Sequence, residues 1–190
     1  MSESPTRTGK VVVNRSISVD GFIAGTGGNM RWGKQRRTPG DFIPWEDTVE
    51  AASRTGAMLV GRNTAEVGNR MEAEKAGSVD YPFNGPIFVL THRPVEPPDP
   101  DVTILSGDIG EAIATALAAA NGKDLELLGA SVASQAFKAG LVDEVLIYVL
   151  PVILGEGVPF SPAGSATIDL EPISSRQSGE ATILRFRVRK

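Results

Sequence analysis

Apolar positions in this chain fall in short runs separated by stretches where they recur every three or four residues, the pattern of strands alternating with amphipathic helices. Val11 to Ser18, "VVVNRSIS", opens with a β-branched run of the kind a buried central strand shows. The glycine-rich "DGFIAGTGGNMRWG" behind it predicts a core strand that empties into a mobile loop. Pro44 to Arg54 predicts a short helix ending at Gly56. Ala57 to Val60, "AMLV", predicts a compact strand that stops at Gly61 and leads into a second short helix near Thr64.

Ile87 to Leu90 predicts the next strand, and Pro94 with the "EPPDP" cluster forces irregular backbone before another short strand, "VTIL", from Val102. The clearest helix spans Asp108 to Ala120. Asp108 and Glu111 have capping-box spacing, Ile109, Ala112, Ile113, Ala116 and Leu117 form an apolar face, and Asn121-Gly122 ends it. Leu125 to Leu128 is a strand, Glu144 to Ile153 a longer one interrupted by Pro151, and Thr167 to Arg189 reads as two strands. The fold class is therefore α/β, with a mostly parallel central sheet, helices on both faces and an antiparallel C-terminal edge.

At 190 residues, with 41% apolar and 22% charged residues, the chain suits one folded domain. The expected division is a flexible N-terminus over residues 1–9 and a single domain over 10–190. No apolar run reaches membrane-spanning length and "MSESPTRTGK" has no signal core, so no membrane is expected and the cytoplasm is the expected location. A net charge of -4 argues against a nucleic-acid partner, since such binding is driven by basic residues. With no cysteine and a single histidine, His92, the chain excludes disulfides, zinc-cysteine sites and thiol nucleophiles, and no metal is expected.

In open α/β sheets, ligands bind beyond the carboxyl ends of the strands, where helix N-termini attract anions. Three turns have suitable chemistry. In "GRNT", Gly61 allows close backbone approach, Arg62 offers a charged fork, and Thr64 can cap the helix and donate to a phosphate; a plain helix start with a solvated arginine is the alternative. In "LTHRP", Thr91, His92 and Arg93 bring a hydroxyl, an imidazole and a guanidinium together after a buried strand, a set suited to the 2′-phosphate that marks NADPH; an incidental lone histidine is the alternative. Gly129, Ala130 and Ser131 can aim consecutive amides outward, a nest suited to a pyrophosphate, although many such turns bind nothing. None of the three is a P-loop, and "GTGG" at Gly25 to Gly28 does not match the dinucleotide fingerprint.

These segments carry a resemblance. "SISVDGFIAG", "GNMRW", "MLVGRNT", "IFVLTHRP" and "LGASVASQAFKAGLVDEVLIYVLPVILGEG" follow the order and spacing of the dihydrofolate-reductase-like superfamily. From Val11 to Arg189 the chain most resembles the branch containing the reductase domain of the bifunctional riboflavin-biosynthesis deaminase-reductase. The resemblance implies a three-layer dihydrofolate-reductase-like fold, NADPH as hydride donor and a homodimer. It implies that Gly61, Arg62, Thr64, Leu90, Thr91, His92 and Arg93 hold the adenosine end and its phosphates. Gly129, Ala130, Ser131 and Val132 would hold the pyrophosphate. Ile23, Ala24 and Met30 would flank the nicotinamide, with Ser18, Met30 and Trp32 on the substrate side. Asp20, in the family's S-x-D-G motif, would line the pocket as the catalytic candidate; a turn-forming Asp-Gly is its other reading.

The chain departs from the family pattern at the pyrophosphate turn, where Leu128 replaces the first of two glycines, and after Trp32, where basic residues replace the helix carboxylate of true dihydrofolate reductases. Asp41, Glu46 and Asp47 are candidate proton donors by proximity alone. Lys34, Arg36 and Arg37 read either as a solvated loop or as a clamp for a substrate phosphate. Deaminase chemistry, which needs zinc-binding cysteines, is absent from these residues. The implied function is NADPH-dependent reduction of a pterin or (ribosyl)aminopyrimidine, related to 5-amino-6-(5-phosphoribosylamino)uracil reductase. The alternatives are a non-catalytic nucleotide-binding protein on the same fold and a reductase using a deazaflavin donor.

Overall fold

The computed structural model describes residues 9–29, 32, 42–73, 82–93, 101–161 and 167–190, the side chains of 69–73 excepted. Met30, Lys34, Arg36, Arg37 and Asp41 lie outside the described residues, as do residues 1–8. The strands are β1 (Val11–Ser18), β2 (Phe22–Ala24), β3 (Thr55–Gly61), β4 (Ile87–Leu90), β5 (Val102–Leu105), β6 (Asp124–Leu128), β7 (Glu144–Leu150), β8 (Val158–Pro159), β9 (Leu170–Ser178) and β10 (Ala181–Val188). The helices are α1 (Trp45–Arg54), α2 (Arg62–Ala73), α3 (Ile109–Ala119) and α4 (Ala130–Lys138).

Eight strands form one sheet in the order β5-β4-β3-β6-β1-β7-β10-β9. The strands from β5 to β7 run parallel, and β10 and β9 add an antiparallel edge. Alternation along each strand divides the core. Ala57 and Leu59 of β3 join Val11, Val13 and Leu127 beneath α3 and α4, while Met58 and Val60 pack with Val89 and Ala65 of α2 on the opposite face. A third cluster, Tyr148, Leu150, Ala181 and Ile183, packs against Trp32, Phe42 and Ile43. This is the α/β architecture expected from the sequence, three layers around a mostly parallel sheet with an antiparallel C-terminal edge.

Several boundaries differ, each for a local reason. β3 begins at Thr55, directly after α1, and Gly56 within it lies so close to the Ala120 carbonyl that a methyl there would come within 2.1 Å of its oxygen. The glycine serves the strand as a packing site and not as a helix stop. β7 ends at Leu150, since Pro151 has no N–H for the ladder, and Ile153 is left exposed. α3 is capped as expected, with Asp108 accepting from the amides of Gly110 and Glu111 at 2.6 and 3.0 Å. Part of the supposed loop after β1 is ordered as β2, which pairs antiparallel with β8. β7 is paired on both sides, by β1 and β10, so it has no free edge for a second copy; β9 is the outermost strand at that end.

Candidate functional site

At β3 and β6 the chain leaves neighbouring parallel strands in opposite directions. After β3, α2 leads outward to β4 over the Met58–Val60 face; after β6, α4 leads the other way to β7 over the Ala57–Leu59 face. Such a reversal is where an open α/β sheet forms its crevice. Val60 pairs with Leu128, so Gly61 and Gly129 occupy the next position on adjacent strands. A methyl on Gly129 would lie 2.4 Å from Thr64 Oγ1, and one on Gly61 would lie 3.3 Å from Val132 Cγ2. The two turns are packed into each other, and Gly129 also needs its left-handed backbone, φ 94°.

α2 starts at Arg62, immediately after β3, so Thr64 sits inside the first helical turn instead of capping it, with its hydroxyl against Gly129. The Arg62 guanidinium turns along α2 to pair with Glu66 at 2.7 Å, while its Nε is buried without an acceptor. At α4, Gly129 offers no side-chain cap, and the amides of Ala130, Ser131 and Val132 precede the first intrahelical bond, from Ala133 N to Gly129 O at 3.2 Å. The Val132 side chain is in the core and Ser131 Oγ accepts from Gln135, so this turn offers chiefly main-chain donors. Leu128 packs against the Met58, Val60 and Val89 cluster, so its side chain belongs to the core.

Beyond β4, the Thr91 hydroxyl donates to Arg93 O at 2.7 Å and accepts from Arg93 N at 3.0 Å. It builds the turn that leaves His92 and Arg93 exposed, and is not itself presented to a ligand as the sequence suggested. The Leu90 side chain is buried in the core, which leaves only its backbone for contact.

The register places Arg15 level with Gly129, but β1 continues to Ser18, about 10 Å farther at the usual rise per residue. The sheet edge is therefore stepped, with β1 and β7 standing above β6. On that step the Ser18 hydroxyl accepts from Phe22 N at 3.0 Å, and Asp20 accepts from the amides of Leu154 at 3.1 Å and Gly155 at 2.7 Å. The Ser18 hydroxyl and these amides hold the Asp20 carboxyl down at about 2. Asp20 thus joins the β1–β2 turn to the loop after β7. Ala24 is buried in β2, Ile23 is half-buried, and Thr26 Oγ1 donates to Glu156 at 3.0 Å. A methyl on Gly28 would sit 3.4 Å from Val67 Cγ2, so the glycine-rich loop reaches from the β1 step across to α2.

On the α1 face, Trp32 packs against the Tyr148 cluster with its indole Nε1 buried and without an acceptor. Glu46 is exposed. Asp47 is buried and accepts from Arg176 and Ser178, and the Arg176 hydrogen bond holds its carboxyl below the ordinary range against the opposing effect of burial. Neither Asp20 nor Asp47 is a free acid. Among the described residues, no group of three or more His, Asp or Glu could hold a metal ion, and no helix is long and apolar enough to cross a membrane.

Sequence reasoning passed over Arg15 and Glu126. Both are buried, with Glu126 Oε2 accepting from Thr55 Oγ1 at 3.1 Å. The alternation Val11, Val13, Arg15, Ile17 was the available signal, since it sets a charge at an inward position.

Residues 9–184 match the RibD C-terminal domain. The chain belongs to that family. It is 25% identical over 181 residues to the uncharacterized protein YwjB of Bacillus subtilis (strain 168), spanning 93% of this chain and 97% of that protein. A putative riboflavin biosynthesis protein from Shewanella sp. PV-4 superposes with TM-score 0.74 at 24% identity, over 95% of this chain and 99% of that one. Enterococcus faecalis dihydrofolate reductase, solved with NADP(H), superposes with TM-score 0.57 at 14% identity, over 96% and 98% of the two chains. The RibD C-terminal domain family and its structural neighbours thus share the dihydrofolate-reductase-like fold of this chain.

Proposed function

We propose that this member of the RibD-type reductases binds NADPH along the stepped carboxyl edge and reduces a C=N or C=O carbon of a pterin, pyrimidine or ribosyl-pyrimidine. The observation that carries the reading is the interlock of Gly61, Thr64 and Gly129 at the strand reversal, which brings two helix N-termini to one place. The donor set fits an anionic dinucleotide. The first amides of α4 suit its diphosphate, the orphaned Arg62 Nε–H lacks the acceptor that a phosphate or ribose oxygen would supply, and exposed His92 and Arg93 suit a 2′-phosphate.

NADPH, when bound, supplies the hydride. The protein's own part is placement and the exclusion of water. The loop from Gly25 to Asn29, tied to Glu156 and lying against Val67, would cover the crevice, with Ile23 and Ala24 beside the nicotinamide. Trp32 borders the substrate, and its indole N–H, buried without an acceptor, offers it a donor. Ser18, expected from the sequence on the substrate side, is instead fully buried, with its hydroxyl accepting from Phe22 N and donating to Asp20. Asp20 fixes the two loops that meet there, and the proton reaches the product from water. The sequence reading of Asp20 as the catalytic residue gives way here to its turn-forming reading.

NADPH oxidation, followed at the nicotinamide absorbance with a panel of aminopyrimidine ribosyl phosphates, free pyrimidines and pterins, tests this. The expected result is substrate-dependent oxidation by at least one class. Tight NADPH binding with no oxidation across the panel favours the non-catalytic alternative, whose support is that the candidate carboxylates Asp20 and Asp47, among the described residues, are both engaged in hydrogen bonds.

A further inference from the structure

We infer that Arg15 is a positioning residue for the diphosphate of the dinucleotide, its buried guanidinium setting the Gly129–Ala130 peptide so that the Ala130 N–H faces the mouth of α4. The inference rests on the NADPH reading above. Arg15 is 7% exposed, and its guanidinium donates to three carbonyls: Asn14 at 2.5 Å, Leu127 at 2.6 Å and Gly129 at 3.2 Å. In a trans peptide the C=O and the following N–H point in opposite directions. Gripping the Gly129 oxygen from below therefore turns the Ala130 N–H away from Arg15 and outward, and the Leu127 bond fixes the residue from which the turn departs.

The charge matters as much as the geometry. Every acceptor of Arg15 is a neutral carbonyl, and among the described residues it forms no ion pair. Burial lowers its pKa to about 10, opposed by the field of Glu126, so it remains a cation at neutral pH. A buried cation without a contacting counterion is costly, and an anion seated at the α4 mouth relieves that cost. Arginine suits this position because a rigid five-donor fork can reach several carbonyls at once, which a lysine ammonium cannot do in the same plane.

The test is titration calorimetry on wild type, Arg15→Met and Arg15→Lys with two ligands, NADPH and adenosine 2′-monophosphate, which lacks the diphosphate. Arg15→Met is expected to weaken NADPH by roughly tenfold to a hundredfold, the loss associated with one hydrogen bond to a charged group. It should leave the monophosphate within about twofold, and Arg15→Lys should fall between. A parallel loss of both ligands would mean general loosening of the fold, and an unchanged NADPH affinity would mean no role; either overturns the inference while leaving the NADPH reading intact. Should Arg15→Met fail to fold, Arg15→Lys decides by the same ratio. Wild type that binds neither ligand overturns the NADPH reading and the inference together.

Discussion

Asp20 separates two roles that one residue type can play at the same place. Its carboxylate accepts from the Leu154 and Gly155 amides and from the Ser18 hydroxyl, and it is ionised throughout the neutral range, with a pKa of about 2. A group with a folded pKa this far below the operating pH is a poor general acid. Asp20→Asn, which keeps an acceptor oxygen but not the charge, should therefore lower kcat by less than about tenfold, whereas loss of a proton donor costs on the order of a hundredfold or more. Hydrogen exchange at the Leu154 and Gly155 amides should quicken in the same variant. A kcat loss above a hundredfold with unchanged exchange would contradict the assignment. At this scale the sequence conveyed residue types better than their use. The turn at Gly129 and the exposed placement of His92 and Arg93 after a buried strand were legible. Thr91 and Asp20 were not, because their polar atoms turn back onto local backbone, and sequence spacing does not record which acceptor a hydroxyl chooses.

The α1 helix and the β9–β10 hairpin meet through Asp47, which takes hydrogen bonds from Arg176 and Ser178 of β9. This contact joins elements far apart in sequence, so no periodicity announced it. The elements themselves were legible wherever an apolar period was unbroken, as in β1, α3 and β4. Boundaries were lost where a glycine served packing instead of turning the chain, as at Gly56, and where a strand passed straight into a helix, as at Gly61–Arg62. The Asp47 carboxyl is held below its ordinary value, so its contribution is complete above the unfolded value of about 4 and is lost as pH falls through the lower folded value. Because Arg176 is half-exposed and screened, Asp47→Asn should destabilise by about 1–2 kcal/mol at neutral pH. Urea unfolding should show the gap to wild type narrowing below about pH 4. A gap independent of pH would mean that the ion pair contributes nothing.

In the whole molecule, the strand reversal between β3 and β6 and the step made by β1 and β7 converge on one edge of the sheet. Glu144 shows a contrasting use of buried charge at the opposite end. Burial works to raise its carboxyl, but Lys10 and Arg185 outweigh it and hold the group low, so this cluster is self-contained. Arg15 hydrogen-bonds to carbonyls alone, with the field of Glu126 opposing its burial. The α/β order was readable from the chain because strands and helices alternate in their apolar period. The site was readable only as turns, since their convergence depends on strand order, which no local pattern specifies. Whether this edge holds NADPH is read from thermal unfolding of the wild-type protein across titrations of NADPH and NADH. A ligand that binds only the folded state, at about a hundred times its Kd, adds about 2.7 kcal/mol of apparent stability. The expected result is a rising, saturating Tm with NADPH and a markedly smaller rise with NADH at equal concentration. No shift with either dinucleotide would contradict it.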